Sequence, residues 1–395
     1  METKDFKTRT IFENRPAPYR KGEWVIGLDI GYSSVKGFSP NKVYCFPAFA
    51  KKIEDLNSFI KAHGDSDIRY RDEQLGTWVV GELAYNETTS EEDMSSEDET
   101  VVRNRYKSPV YKIITRVGLA LGLMANEYNS PHSDNGPDKL IVQAGLPPAF
   151  LKRGDSKAVC SVIKGHHKFE LMIGKNTQWK QFEFIIDEDN VYFIEQPKGA
   201  LISASVDERG KQTKMCPIFF NSELIVFDPG FGTLDDYVAH LGRVVLSNTY
   251  PDLSMYSVFR ATCDDIRKNY GKDITVPQLQ TYLEKGMIYV IEDDNEDSLV
   301  SSRKMISFAD ILEENCRKIC KQAIEKMSEK HNKFENTEYI IATGGTYDAW
   351  ADYIQETFKN VEGLTVIPAN INDRTLSNIF SNVRGYYFYR MNSKN

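Results

Sequence analysis

Two aspartates, each followed by glycines at a strand end, carry the chemistry legible in this sequence. The first lies in Trp24-Val-Ile-Gly-Leu-Asp29-Ile-Gly31-Tyr32-Ser33-Ser34-Val35-Lys36. The second lies in Leu224-Ile-Val-Phe-Asp228-Pro-Gly230-Phe231-Gly232-Thr233-Leu-Asp235. In each, a short apolar run reads as a strand covered on both faces, and the aspartate sits where it ends. The glycines can take backbone angles closed to other residues and let N–H groups approach a ligand. Successive inward N–H groups make an anion nest. A carboxylate beside such a nest suits a metal ion better than a bare phosphate, so each turn reads as half of a phosphate–Mg²⁺ site. The copies align as Asp29-x-Gly31-Tyr32-x-Ser34-Val35 and Asp228-x-Gly230-Phe231-x-Thr233-Leu234. They lie half a chain apart, too far for a solenoid repeat. The spacing fits two similar domains offering one hairpin each to a shared ligand.

A third glycine turn, Gly344-Gly345-Thr346, follows the apolar strand Tyr339–Thr343 and opens a helix. A helix N-terminus offers free N–H groups and the positive end of a dipole. Lys36, on the return strand, is placed to reach β/γ-phosphates. Glu195 and Gln196 precede Pro197 where the chain passes between halves, and either can orient a water for in-line attack on a γ-phosphate.

The remaining elements read as α/β throughout. Strands are expected at Val43–Phe46, Thr77–Glu82, Leu140–Ala144, Lys168–Ile173, Gln181–Ile186, Val191–Ile194, Met287–Ile291 and Val366–Pro368. Ser108-Pro109 opens a helix running to near Tyr128. Further helices are expected at 54–62, 149–161, 201–206, from Ser254 to near Gly271, and at 275–286. A capping box at Ser307-x-x-Asp310 predicts a long helix to about Lys330. Helices also follow at 347–358 and 372–383, the last stopped by Gly385, and His132–Gly136 reads as a turn. Residues 1–23 form a polar arm that either stays unstructured or docks on a neighbour. The acidic block 91–99 reads as a solvated loop, and the His166-His167 doublet as ordinary surface. No Rossmann or Walker A pattern is present.

Composition narrows the classes. The chain has 395 residues, a formal net charge of -8 and 41% hydrophobic residues. That length supports two domains. Mild acidity argues against a direct nucleic-acid groove. No apolar stretch predicts a signal peptide or a membrane span. The six cysteines form no close CxxC pair, which predicts free thiols, Cys316 and Cys320 on one helix included, and a cytoplasmic setting.

Together these motifs resemble the actin superfamily. Asp29–Lys36 looks like its first phosphate motif, Asp228–Asp235 like its second, Ala342–Thr346 like its adenosine motif and Gln196–Ala200 like its first connecting segment. Asn382-Val-Arg-Gly385 with the aromatics after it is similar to the C-terminal end of bacterial plasmid-segregation actins of the ParM type. Pro229 and the Ser33-Ser34 pair depart from the commonest family pattern. The resemblance implies two related RNase H-like α/β domains, each around a five-stranded sheet: residues 24–196 plus 370–395, and 197–369. It implies ATP or ADP in the cleft, Mg²⁺ held through water by Asp29 and Asp228, and phosphates held by Ser33, Ser34, Lys36, Gly230, Gly232 and Thr233. Gly31, Tyr32, Phe231 and Asp235 complete those turns, and Gly344, Gly345 and Thr346 line the adenosine. Gln196 positions the attacking water, with Glu195 as the second candidate. The implied activity is an ATPase that assembles into filaments and loosens after hydrolysis. Its implied partners are itself and a DNA-binding adaptor of the ParR type on a centromere-like DNA site. A sugar or acid kinase of the same superfamily is the alternative, with Asp235 or Glu195 as base.

Overall fold

The structure, a computed structural model, describes residues 2–54, 64–86, 105–128, 130–133, 136–293 and 302–393. The acidic block and, from residue 55 on, the helix expected at 54–62 lie outside the described residues. The first lobe holds a six-stranded sheet in the order β1-β4-β3-β2-β10-β13. Its strands are β1 (Ile11–Asn14), β2 (Glu23–Ile30), β3 (Ser34–Phe38), β4 (Lys42–Pro47), β10 (Lys139–Leu146) and β13 (Val191–Glu195). A second, antiparallel sheet joins β12 (Lys180–Ile186), β11 (Gly165–Ile173), β6 (Ile68–Asp72), β7 (Gly76–Val80) and β5 (Ala50–Lys52) in that order. The second lobe holds β16 (Arg243–Tyr250), β15 (Leu234–His240), β14 (Glu223–Pro229), β19 (Tyr339–Ala342) and β20 (Thr365–Pro368), again in sheet order. Two small hairpins, β8 (His132–Ser133) with β9 (Gly136–Pro137) and β17 (Met287–Asp293) with β18 (Ser302–Ser307), complete the strands among the described residues.

The two large sheets share one plan. An antiparallel meander, β4-β3-β2 or β16-β15-β14, continues into two parallel strands, β10-β13 or β19-β20. The arm adds the sixth strand: β1 pairs with β4, Ile11 opposite Cys45. Residues 1–23 therefore do not form a free arm; what is described of them is docked on the chain's own surface.

The helices are α1 (Glu82–Asn86), α2 (Pro109–Leu123), α3 (Pro148–Arg153), α4 (Ser156–Ile163), α5 (Gln196–Ser205), α6 (Met215–Asn221), α7 (Met255–Tyr270), α8 (Val276–Tyr282), α9 (Ala309–Lys330), α10 (Gly345–Phe358) and α11 (Ser381–Asn392). Period-2 alternation decides what covers each central strand. Trp24, Ile26 and Leu28 of β2 enter one core with Val117 and Leu121 of α2. Val25 enters another with Val383, Tyr386 and Tyr387 of α11. In β14, Ile225 and Phe227 face the core that includes α9 and α10, while Leu224 and Val226 face Ala200 and Ala204 of α5.

The structure corrects several local expectations. Gly385 does not end a helix. The 372–383 segment holds a 3₁₀ turn at Asn378–Phe380 and the first three residues of α11, which then runs through Gly385. Packing overrides the usual helix-stopping role of glycine here: a Cβ on Gly385 would lie 1.8 Å from the Gly199 carbonyl oxygen. The helix expected at 149–161 is two, split at Gly154, whose φ of 91° is left-handed. Helix α2 stops at Leu123, short of Tyr128. The 307–310 capping box does not form; Phe308 is the N-cap, and Ser307 Oγ accepts from the Ala309 amide. The 132–136 turn is a short hairpin.

The His doublet splits. His166 is exposed and meets Glu183 at 3.1 Å. His167 is buried at 3% exposure, stacks on Phe184 and is hydrogen bonded through Nε2 to the Ile163 carbonyl. Burial pushes its pKa down from 6.5 to about 4. A histidine that resists protonation when folded leaves stability whole above pH 6.5 and drains it as pH falls from 6.5 toward 4. The loss should reach on the order of 3 kcal/mol. Urea unfolding across that interval should show a steeper pH dependence for the wild type than for His167→Phe; parallel curves would contradict the assignment.

Candidate functional site

The turns after β2 and β14 are built alike. In the first, the Gly31 amide donates to the Ser34 carbonyl at 2.9 Å; in the second, the Gly230 amide donates to the Thr233 carbonyl at 2.7 Å. A Cβ on either glycine would meet that carbonyl at 2.9 Å. Among the glycines of the three turns only Gly344, at φ 86°, has a left-handed backbone. The expectation that Gly230 and Gly232 are needed for backbone freedom is therefore corrected. They are needed for space, and at Gly232 a Cβ would sit 2.3 Å from the Tyr32 ring of the other turn. The two turns are in direct contact across the cleft.

They line one cavity of about 470 Å³. Every turn residue expected from the sequence lines it: the 29–36 set, the 228–235 set and Gly344, Gly345 and Thr346. The third turn rests on the second. Thr346 Oγ1 donates to the Gly230 carbonyl at 3.2 Å, and a Cβ on Gly344 would lie 3.2 Å from the Pro229 carbonyl and 3.3 Å from the Asp228 carboxylate. Helix α10 starts there with Gly344 as its N-cap and no side-chain cap, and its first residues, Gly345 and Thr346, line the cavity. Behind the second turn, α7 spends its first amides: Met255 and Tyr256 donate to the carbonyls of Gly230 and Phe231. The Phe231 ring packs edge-on against Tyr256 and Phe259.

Electrostatics make the cavity unusual. Asp29 and Asp228 are both buried, at 5% and 6% exposure. Burial raises the Asp29 pKa, opposed by Lys36, by a hydrogen bond from Gln196 and by Arg105. Burial pushes Asp228 up to about 6, opposed by a hydrogen bond from Asn382 and assisted by the charge of Asp29. The amide donors are close: Gln196 Nε2 to Asp29 at 2.9 Å and Asn382 Nδ2 to Asp228 at 2.8 Å. They are also matched in position. Gln196 opens α5 and Asn382 is the second residue of α11, and three residues further each helix carries the glycine of the Gly199–Gly385 contact.

The pair opposite Asp29 in the strand register is Lys36, whereas Asp228 faces Asp235. Asp235 has its pKa raised well above the ordinary range by burial. Both its oxygens are engaged, by Thr249 at 2.6 Å and Thr233 at 3.2 Å. Glu195 does not line the cavity; its carboxylate accepts from Ser247 Oγ at 3.5 Å.

Three contributors escaped sequence reading. Arg105 donates to the carbonyls of Ile30 and Gly31, at 2.6 and 3.1 Å, and lies 4.0 Å from the Tyr32 ring centroid. It lies between the acidic block and the Ser108-Pro109 helix start and belongs to neither motif. Asn382 fell in the C-terminal stretch whose likeness was noted, without a role. Asp348, in the first turn of α10, lines the cavity and is pushed up to about 6 by burial.

Residues 27–199 match the family described as "Actin like proteins N terminal domain". The solved structure of a non-polymerisable quadruple mutant of pCBH ParM superposes with a TM-score of 0.66 at 18% identity, covering 93% of this chain and 99% of that one. The chain has the fold of the actin superfamily. The archaeal actin homologue Ta0583 in complex with ADP superposes with this actin fold at a TM-score of 0.60 and 16% identity, covering 94% and 100%. Bacillus thuringiensis ParM with ATP gives 0.54 and 15%, covering 94% and 98%. No curated protein sequence matches the chain.

The site residues of this actin fold make a stability prediction. Asp228 is costly to ionise when folded: stability is full below about pH 3.8, is lost as pH rises toward 6, and stays reduced above it. Asp228→Asn removes that cost. Without nucleotide or metal, the variant should gain on the order of 1–3 kcal/mol over wild type at pH 8 and nothing at pH 4. Thermal melts at the two pH values check this, and an equal shift at both would refute the buried-charge account.

Proposed function

We propose that this protein is an ATPase that assembles into filaments when ATP is bound and loosens after hydrolysis. The observation that carries the reading is the pair of buried carboxylates, Asp29 and Asp228, brought from matched turns into one cavity that also receives the N-terminus of α10. Two like charges in a dry site call for a cation. Among the described residues no cluster of three or more metal-binding side chains occurs. Mg²⁺ suits that donor set, because it is held by one or two carboxylates together with substrate phosphates and retained waters. Asn382 Oδ1 is buried without a hydrogen-bond partner among the described residues, an acceptor suited to such a water. Asp29 and Asp228 would hold the ion, which would supply charge neutralisation for the β- and γ-phosphates.

The chain's own groups supply the rest. The backbone amides of residues 32–34 and 231–233, rather than those of Gly31 and Gly230 that close the turns, hold phosphate oxygens, and Lys36 adds a positive charge. Gly344, Gly345 and Thr346 frame the base and ribose. Gln196, with its amide committed to Asp29, keeps its carboxamide oxygen to accept a hydrogen from water. A water so held attacks the γ-phosphorus in line, the bond to the β-phosphate oxygen breaks, and ADP and phosphate result. The kinase alternative needs a free carboxylate base. Asp235 is engaged by two threonines, and Glu195 lies outside the cavity lining and accepts from Ser247.

Filament formation draws on the similar structures, and a role in plasmid segregation through a DNA-binding adaptor rests on the resemblance of the sequence motifs to the ParM type. The similar structures include an Alp12 filament and a non-polymerisable ParM mutant. The net charge of -8 agrees with indirect contact to DNA. No helix among the described residues is long and apolar enough to cross a membrane.

Gln196→Ala should slow ATP hydrolysis roughly 10²–10⁴-fold while ATP binding persists, as read by phosphate release and by equilibrium binding. Asp228→Ala should abolish ATP-dependent light scattering; normal assembly from that variant would remove the cation assignment. Electron microscopy with and without ATP tests the filament directly, and a soluble monomer that phosphorylates sugars would replace this reading with the kinase.

A further inference from the structure

The N-terminal arm crosses between the lobes at the cleft, and nothing in the nucleotide reading uses it. Its 3₁₀ turn, Thr3–Phe6, sits on the second lobe. Thr3 is buried, and its Oγ1 donates to the Leu283 carbonyl at 2.8 Å. Gly286 receives it: φ is 63° there, and a Cβ would come within 2.6 Å of Thr3 Oγ1. Phe6 packs against the core of the second lobe. Lys7 and Arg9 both reach Glu284, at 3.3 and 3.2 Å. One residue later the chain is on the first lobe. The Thr10 amide donates to Glu82, and Ile11 begins β1.

The crossing lies over the cavity. Residues 4–9 and Ile11 line it together with Asp29, Asp228 and the 344–346 turn. Three of those arm residues, Lys4, Lys7 and Arg9, are basic and border a cavity shaped for an anion.

The two attachments differ in kind. On the first lobe β1 is a strand of a six-stranded sheet, held by a backbone ladder. On the second lobe the arm is held by one buried hydroxyl, one apolar ring and ion pairs whose side chains are partly exposed. Contacts of the second kind open locally without unfolding their domain.

We propose that residues 2–9 are a strap across the mouth of the cleft, hinged at Thr10, which must lift off the second lobe for nucleotide to enter or leave. The proposal rests on the nucleotide reading for its ligand. The strap sets the exchange rate, and its basic residues favour the closed position when a triphosphate lies beneath it.

The test uses the full chain, the double variant Phe6→Ala with Glu284→Lys, and a variant lacking residues 2–9. Two quantities are read: trypsin cleavage after Lys7 and Arg9, and dissociation of a fluorescent ATP analogue chased with excess ATP. In the wild type, the bound analogue should protect both sites. In the double variant both should be cut and dissociation should accelerate about tenfold or more, with the shortened chain matching it. An arm that is freely cut while dissociation stays unchanged overturns the strap, as does a shortened chain that holds the analogue as long as wild type. If the wild type binds no analogue, the nucleotide reading fails. The strap then stands or falls on hydrogen exchange without ligand. Removing residues 2–9 should speed exchange at the Gly230–Thr233 amides, and unchanged exchange overturns it.

Discussion

Two carboxylates share one desolvated cavity, and the rest of the molecule is arranged around that constraint. Burial alone would drive both Asp29 and Asp228 toward their neutral forms. The protein answers with amides rather than with a full set of cations. Gln196 and Asn382 each give one N–H to one carboxylate, and neutral donors leave the charge in place while reducing its cost. A salt-bridged site would have cancelled the field that a cation and a triphosphate require. The geometry keeps the aspartates hydrogen bonded yet still electrically hungry.

The placement of those amides ties the chemistry to the architecture. Helix α5 packs on the second-lobe sheet and α11 on the first, and the two meet at Gly199 and Gly385. Gln196 and Asn382 sit one helical turn before that meeting point. The helix that leads into the second lobe therefore holds the aspartate of the first, and the helix that returns to the first lobe holds the aspartate of the second. A rotation of one lobe against the other would move each donor with respect to the carboxylate it holds. The duplication is structural but not chemical. Where β3 offers Lys36 across from Asp29, β15 offers Asp235 across from Asp228. One lobe brings a compensating positive charge, and the other a carboxyl group whose pKa burial raises and which two threonine hydroxyls hold.

The turns were readable in the sequence because their requirement is local. An aspartate at a strand end and glycines where a side chain would strike a carbonyl leave a pattern in consecutive residues, and two matched copies raise it above chance. The central strands were readable because both faces are covered, which leaves continuous apolar runs. The arm was not readable. Its docking rests on Thr3, Phe6 and two cations, which have no periodicity, and on a partner surface nearly 280 positions away. Arg105 and Asn382 act through long-range contacts to residues 74 and 154 positions distant. His167 was misread because a histidine doublet says nothing about which ring faces inward; strand alternation in β11 places His166 out and His167 in.

Gly385 shows why local propensity failed where packing was tightest. By propensity, a glycine after a helical stretch marks its end. Here it lies in the interior of α11, at the one point where the two helices approach backbone to backbone. A glycine inside a helix costs roughly 1 kcal/mol relative to alanine, and this chain accepts that cost on both helices of the contact. A Cβ on Gly199 would strike the Tyr386 ring at 2.4 Å, and one on Gly27 would strike the Val383 carbonyl at 2.3 Å. Helix α11 is thus pressed against β2 on one side and α5 on the other with no slack at either surface. Close packing of this kind transmits displacement rather than absorbing it. The Gly199–Gly385 contact therefore couples the two helices, so that a shift of either is felt by Gln196 and Asn382 one turn away.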